Sequence, residues 1–159
     1  MSDDSRRLTL AGFLKFMGLD RDKIVRGKLG NRIKAQKLVY FGKKLGLPLD
    51  YDFDIYLYGP YSSKLADDYY KMTQEEWSQG IIEIPEKIEE TLRYLMGNDI
   101  LFLEIATTLD SIRSTNEGVP NNKIIEAVSK LKSSRLEKEG KDINFLKTVM
   151  DELSEHHIF

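Results

Sequence analysis

The chain of 159 residues has no cysteine, which removes structural disulfides, thiol nucleophiles, iron–sulfur clusters and cysteine-ligated zinc in one step. Its two histidines are adjacent, His156 and His157. Neighbouring residues on a helix point about 100° apart, so this pair lacks the i, i+4 geometry that grips zinc from one face. It reads as a frayed tail. A serine nucleophile needs a histidine base held by a third group, and no histidine stands outside that tail. Four prolines and eleven glycines are too few for a long flexible linker. No apolar run approaches the roughly 20 residues that span a bilayer. The first apolar stretch is interrupted by Lys15 and Gly18, unlike the core of a signal peptide. A cytoplasmic protein without metal or cofactor is the expectation.

What is present is a globular composition, 41% hydrophobic and 31% charged, in a length that one domain with one core fills (1–159). The net charge of −2 conceals an asymmetry: residues 1–47 carry twelve Lys and Arg against four Asp, and the remainder carries twelve against twenty-two Asp and Glu. A basic end can meet nucleic acid or an acidic partner. Equally, the two halves can neutralise each other within the fold.

Periodicity predicts a mainly helical chain. Leu8, Leu10, Phe13, Leu14, Phe16 and Met17 form an opening helix ended near Gly18. The basic segment from Asp20 to Gly30 is a short helix or loop leading to Asn31, the expected N-cap of the next helix, Arg32 to Leu45. Ala35, Leu38, Val39, Gly42 and Leu45 fall on one face of it, the core face. Ile33, Lys37, Tyr40 and Lys44 fall on another. That second stripe either makes a partner contact or supports the strand that follows, its lysine stems lying over apolar surface.

After Gly46 and Pro48, the aromatic and β-branched run Phe53 to Tyr58 reads as a strand ended by a Gly59-Pro60 turn. Alternation sends Phe53, Ile55 and Leu57 to one side and Tyr56 with Tyr58 to the other. A helix from Ser62 or Ser63 follows, then a capping box from Thr73 to Glu76. Ile81 to Ile84 before Pro85 reads as a second strand, expected to pair with Phe53 to Tyr58 in a two-stranded ribbon. Beyond Pro85 the chain (86–155) reads as helical, with Asp99 to Ser114 the most buried element and a basic linker from Lys130 to Lys141.

Little of this points to bond-making chemistry. The carboxylate pairs Asp67-Asp68, Glu75-Glu76 and Glu89-Glu90 lie in polar helical contexts, where solvated faces are expected rather than shifted acids. Gly27-Lys28-Leu29-Gly30-Asn31 before a helix has some anion-binding physics but matches neither phosphate-binding fingerprint. The densest unusual feature is aromatic: Tyr51, Phe53, Tyr56, Tyr58 and Tyr61, then Tyr69, Tyr70 and Trp77. Tyrosine offers large contact area, few rotors and a polar tip, which suits interfaces.

Three pieces carry a family resemblance: Arg32-Ile33-Lys34-Ala35-Gln36-Lys37-Leu38-Val39-Tyr40-Phe41, then Tyr56-Leu57-Tyr58-Gly59-Pro60-Tyr61-Ser62-Ser63-Lys64-Leu65, then Gly80-Ile81-Ile82. Together, over residues 31–84, they resemble the YwgA-like family of bacterial and archaeal proteins. More distantly they resemble the Panacea domain, typified by the SocA antitoxin, with Ala35 standing where a leucine is usual. The resemblance implies a helical domain with a small hairpin, winged-helix-like in its middle, and in the Panacea branch neutralisation of toxins by direct protein contact.

Two readings of function follow. The first is a non-catalytic protein-interaction or regulatory module, antitoxin-like, that docks a protein partner through Lys37, Tyr40, Lys44, Tyr56, Tyr58 and Tyr61. The second is a nucleic-acid-binding winged helix whose Arg26, Lys28, Arg32, Lys34 and Lys37 meet phosphates.

Overall fold

The computed structural model describes residues 1–159. Ten helices and one hairpin follow in the order α1 (Asp3–Phe16), α2 (Arg21–Arg26), α3 (Leu29–Lys44), β1 (Asp54–Tyr56), β2 (Gly59–Tyr61), α4 (Ser63–Lys71), α5 (Gln74–Gln79), α6 (Glu86–Met96), α7 (Ile100–Ser114), α8 (Asn121–Leu131), α9 (Ser133–Lys138) and α10 (Ile143–Glu155). The fold is thus mainly α with a two-stranded antiparallel hairpin. No helix is long and apolar enough to cross a membrane.

Helix starts are set by side chains that accept from otherwise orphaned N–H groups. Ser2, Asp20, Ser62, Thr73, Asp99 and Asp142 each accept such bonds, a contribution of about 1 kcal/mol apiece. Thr73 and Glu76 close the expected reciprocal box. Asn31 is not a cap, because α3 starts two residues earlier behind an uncapped Lys28. The Asn31 amide instead donates to the Lys23 carbonyl. The linker expected from Lys130 to Lys141 contains the short helix α9.

One contiguous cluster of 35 buried hydrophobic residues forms the core. Helix α7 runs through its middle: every residue from Leu101 to Asp110 is buried, and α3, β2, α8 and α10 all pack on it. A helix wrapped on all sides is apolar all round rather than striped. Its four acidic or hydroxyl exceptions in this stretch meet partners, as described below for Glu104 and Asp110 and by back-bonding for Thr107 and Thr108.

The hairpin differs from the expected ribbon. Its register is Asp54 with Tyr61, Ile55 with Pro60 and Tyr56 with Gly59, so the chain reverses at Leu57-Tyr58 and Gly59-Pro60 belongs to the return strand. Pro60 then occupies the pair next to the one that flanks the turn, which exchanges no hydrogen bonds, so its missing N–H breaks nothing. Gly59 has φ +88°, and a Cβ there would sit 2.7 Å from the Thr108 hydroxyl. Both facts require glycine.

Residues Ile81–Ile84 form no strand and do not pair with the hairpin. They cross α1 instead. A Cβ on Gly12 would lie 2.4 Å from the Ile81 backbone, and one on Gly80 would lie 2.3 Å from the Ala11 Cβ. Small residues on both sides let the two segments touch backbone to side chain, and that docking holds the segment away from β1.

The C-terminal residues are docked rather than frayed. The His156 ring stacks on Tyr94 with centroids 3.5 Å apart, Ile158 is buried, and Phe159 lies beneath the guanidinium of Arg113.

Candidate functional site

The N-terminal half of α3, the hairpin and the end of α4 enclose a groove of about 350 Å³. Helix α3 contributes Leu29, Arg32, Ile33, Gln36 and Lys37, a stripe at helical spacing. The hairpin contributes Tyr56, Leu57, Tyr58, Gly59 and Tyr61, and α4 contributes Tyr69 and Tyr70. Two edge-to-face or tilted ring pairs, Tyr56 with Tyr61 at 5.3 Å and Tyr69 with Tyr70 at 5.0 Å, stiffen the walls. The lining has no Ser, Thr, His, Asp or Glu. Its polar chemistry is tyrosine hydroxyl, amide, guanidinium and one amine.

Gln36 and Lys37 hold the hairpin to α3. The Gln36 amide donates to the Ser62 carbonyl at 2.9 Å and accepts from the Ser62 N–H at 2.8 Å, pairing with the backbone as a strand would. Lys37 Nζ donates to the Pro60 carbonyl at 2.6 Å, and Lys132 Nζ to the Leu57 carbonyl at 2.9 Å. The Gln-Lys of the helix and the Gly-Pro-Tyr-Ser of the hairpin, widely separated in sequence, are therefore two halves of one clamp.

The clamp is floored by a buried ion cluster. Glu104 on α7 is fully buried and accepts from Lys132 at 3.1 Å and Arg135 at 3.1 Å. Two cations already satisfy it. Lys37 is itself 0% exposed. Burial pushes its amine down to about 7, against an upward pull from Glu104 and a further downward push from Lys132.

The expected contact residues divide accordingly. Tyr56, Tyr58 and Tyr61 meet in the groove. Lys37 lines it but is spent on Pro60, so it acts as a support rather than a free surface contact, in keeping with the reading that this stripe carries the following strand. Tyr40 and Lys44 are not part of the site. The Tyr40 hydroxyl donates to Asp110 at 2.6 Å and Lys44 pairs with the same carboxylate, in a separate depression that also holds Lys43 and Asp52. Burial and the Asp110 charge hold the Tyr40 phenol well above its ordinary range.

Among the five residues of the nucleic-acid reading, Arg26 and Lys28 are exposed, Lys34 is half-buried and Lys37 is buried. Arg32 lies over the end of α2, donating to the Ile24 and Gly27 carbonyls. The set therefore does not form one open phosphate-facing row.

The sequence reading missed two features. Asp68, expected on a solvated face, is buried and accepts a two-pronged bond from Arg6 at 2.6 and 3.1 Å and one from the Tyr51 hydroxyl at 2.7 Å. It ties α1 to α4. Leu29 and Gln36 join the groove wall beside Ile33, Tyr69 and Tyr70, and the i, i+4, i+7 spacing of Leu29, Ile33 and Gln36 along α3 was the signal that they share a surface.

Comparison of the chain with protein-family models, with curated proteins and with solved structures returns no match.

Proposed function

We propose that the protein is a non-catalytic interaction module, and that the tyrosine-lined groove between α3, the hairpin and α4 is where a protein partner docks. One observation carries this reading. Nine large hydrophobic residues of the chain are exposed, and four of them, Leu29 (49%), Tyr56 (54%), Leu57 (81%) and Tyr70 (49%), line this one groove. Scattered exposed apolar residues need no explanation, but a contiguous patch around a concavity does. Aromatic side chains on a rigid frame are the usual anchors of such contacts, and here the frame is the Gln36–Ser62 and Lys37–Pro60 clamp.

The more distant resemblance of residues 31–84 to the Panacea domain supports an antitoxin-like use, neutralisation or regulation of a protein by direct contact.

The test is site-specific photo-crosslinking in the source cells. A photoreactive residue replacing Tyr58 should yield a discrete adduct that is absent when the same residue replaces Lys147 on the exposed side of α10, and the adduct partner should bind the purified chain. Equal adducts from both positions, or none from Tyr58, would dismiss the reading.

A further inference from the structure

The groove does not end at the hairpin tip. Leu29, Ile33, Leu57 and Tyr58 also form one wall of a second depression, whose other side is Ile100, Arg135 and Lys138. The two hollows adjoin along that shared wall and together are called the channel. Its basic lining residues are Arg32, Arg135 and Lys138, with Lys37 buried beneath them, and none of the lining is acidic, although Asp and Glu outnumber Lys and Arg in the chain as a whole. Lys132 and Arg135 are balanced by Glu104 and Glu139, which leaves Arg32 and Lys138 as the lining cations without a carboxylate partner. Next to the channel, Lys23, Arg26, Lys28, Arg32 and Lys34 crowd the α2–α3 junction, and the only ion pair in that stretch, Arg21 with Asp22, involves none of them. Elsewhere the first helix neutralises its arginines with Asp3, Asp4, Asp68 and Glu76. The positive field at the channel is thus left open.

We propose that the channel takes an acidic peptide segment: an aromatic or aliphatic side chain enters the tyrosine-lined hollow, and flanking carboxylates lie over Lys28 and Arg32 at one end and Lys138 at the other. This rests on the groove being a protein-binding site and names the chemistry of its partner. A hollow of about 350 Å³ is sized for a side chain or two. Single-stranded nucleic acid would need a run of free cations following the phosphates, whereas Lys37 and Arg135 are held by protein acceptors and Arg32 is partly engaged by α2 carbonyls.

The experiment uses the full chain and three fluorescent probes measured by anisotropy at low and moderate salt: a display-selected peptide pool with one Phe or Leu flanked by Asp and Glu, the same pool with Asn and Gln in place of the acids, and a thymidine oligonucleotide. The acidic pool should bind saturably and more tightly than the neutral pool. Lys28→Glu and Lys138→Glu, at exposed positions without ion pairs, should each weaken the acidic pool about threefold to fivefold and leave the neutral pool unchanged. Leu57→Ser should weaken both pools. Thermal melts of each variant establish that it is folded. Equal binding of the acidic and neutral pools overturns the acidic specificity while leaving the protein-docking reading intact. Binding of the oligonucleotide alone, with neither pool retained, overturns both.

Discussion

Replacing Lys37 with methionine keeps an unbranched stem against the core and removes only the amine. Two opposing effects then follow from its surroundings. The Pro60 carbonyl loses its donor, which costs about 1–3 kcal/mol for a buried acceptor left unmade. The variant also no longer buries a cation, and the size of that relief depends on pH. In the folded protein the amine releases its proton near 7, and in the unfolded chain near 10.5. Between those values the unfolded chain holds a proton that the folded chain has given up, so stability rises with pH across the window and is flat below it. One pH unit within the window corresponds to about 1.4 kcal/mol. The wild type should therefore gain about 2–3 kcal/mol over Lys37→Met between pH 6 and pH 9, moving from near parity in acid to a clear advantage in mild alkali. Urea unfolding of both proteins at matched pH values measures the difference directly and cancels every group they share. A difference that stays constant from pH 6 to pH 9 would mean that the amine keeps its ordinary proton affinity, and that the clamp is not sealed from water.

Three further substitutions probe the frame. Asp68→Asn leaves the Arg6 guanidinium buried against a neutral amide and should cost about 3–5 kcal/mol, read as a large drop in denaturation midpoint. Gly59→Ala places a side chain at φ +88° against Thr108 and should cost at least about 1–2 kcal/mol from the backbone alone, with exchange of the hairpin amides accelerated beyond that of the core. Thr73→Ala removes half of the capping box and should cost about 1 kcal/mol in a thermal melt, because α5 contributes no buried residue of its own to compensate.

Much of the helical framework was legible because it rests on local signals. The capping box at Thr73, the Ser62 cap and the start of the helical half after Pro85 follow from short-range chemistry, and the burial of α7 follows from the apolar residues between Asp99 and Ser114. The hairpin was legible in kind but not in register. Phe53, Ile55, Tyr56 and Tyr58, aromatic or β-branched within six residues, mark β structure, yet the position of the reversal depends on Gly59 meeting Thr108, a contact across 49 residues of sequence. Ile81 to Ile84 has strand composition and lost its partner to Gly12 and Ala11, whose small size matters only once α1 lies beneath it. The tyrosines of the groove were legible as interface candidates, because their composition and density are visible. The separation of Tyr40 and Lys44 from them was not, since both share the Lys37 stripe and only Asp110 on α7 draws them to another depression. Buried Asp68 and Glu104 look in sequence like any surface acid, and only tertiary pairing with Arg6 and with Lys132 distinguishes them.

On the proposed function, one surface, built on the α3 clamp, does the work of this molecule. Hydrogen–deuterium exchange of the full chain with and without its crosslink-identified partner tests it most directly. Protection confined to peptides covering residues 28–37, 56–61, 69–70 and 134–138 is the predicted result, and protection on α8, α10 or the Tyr40–Asp110 depression, with the hairpin unchanged, would contradict it.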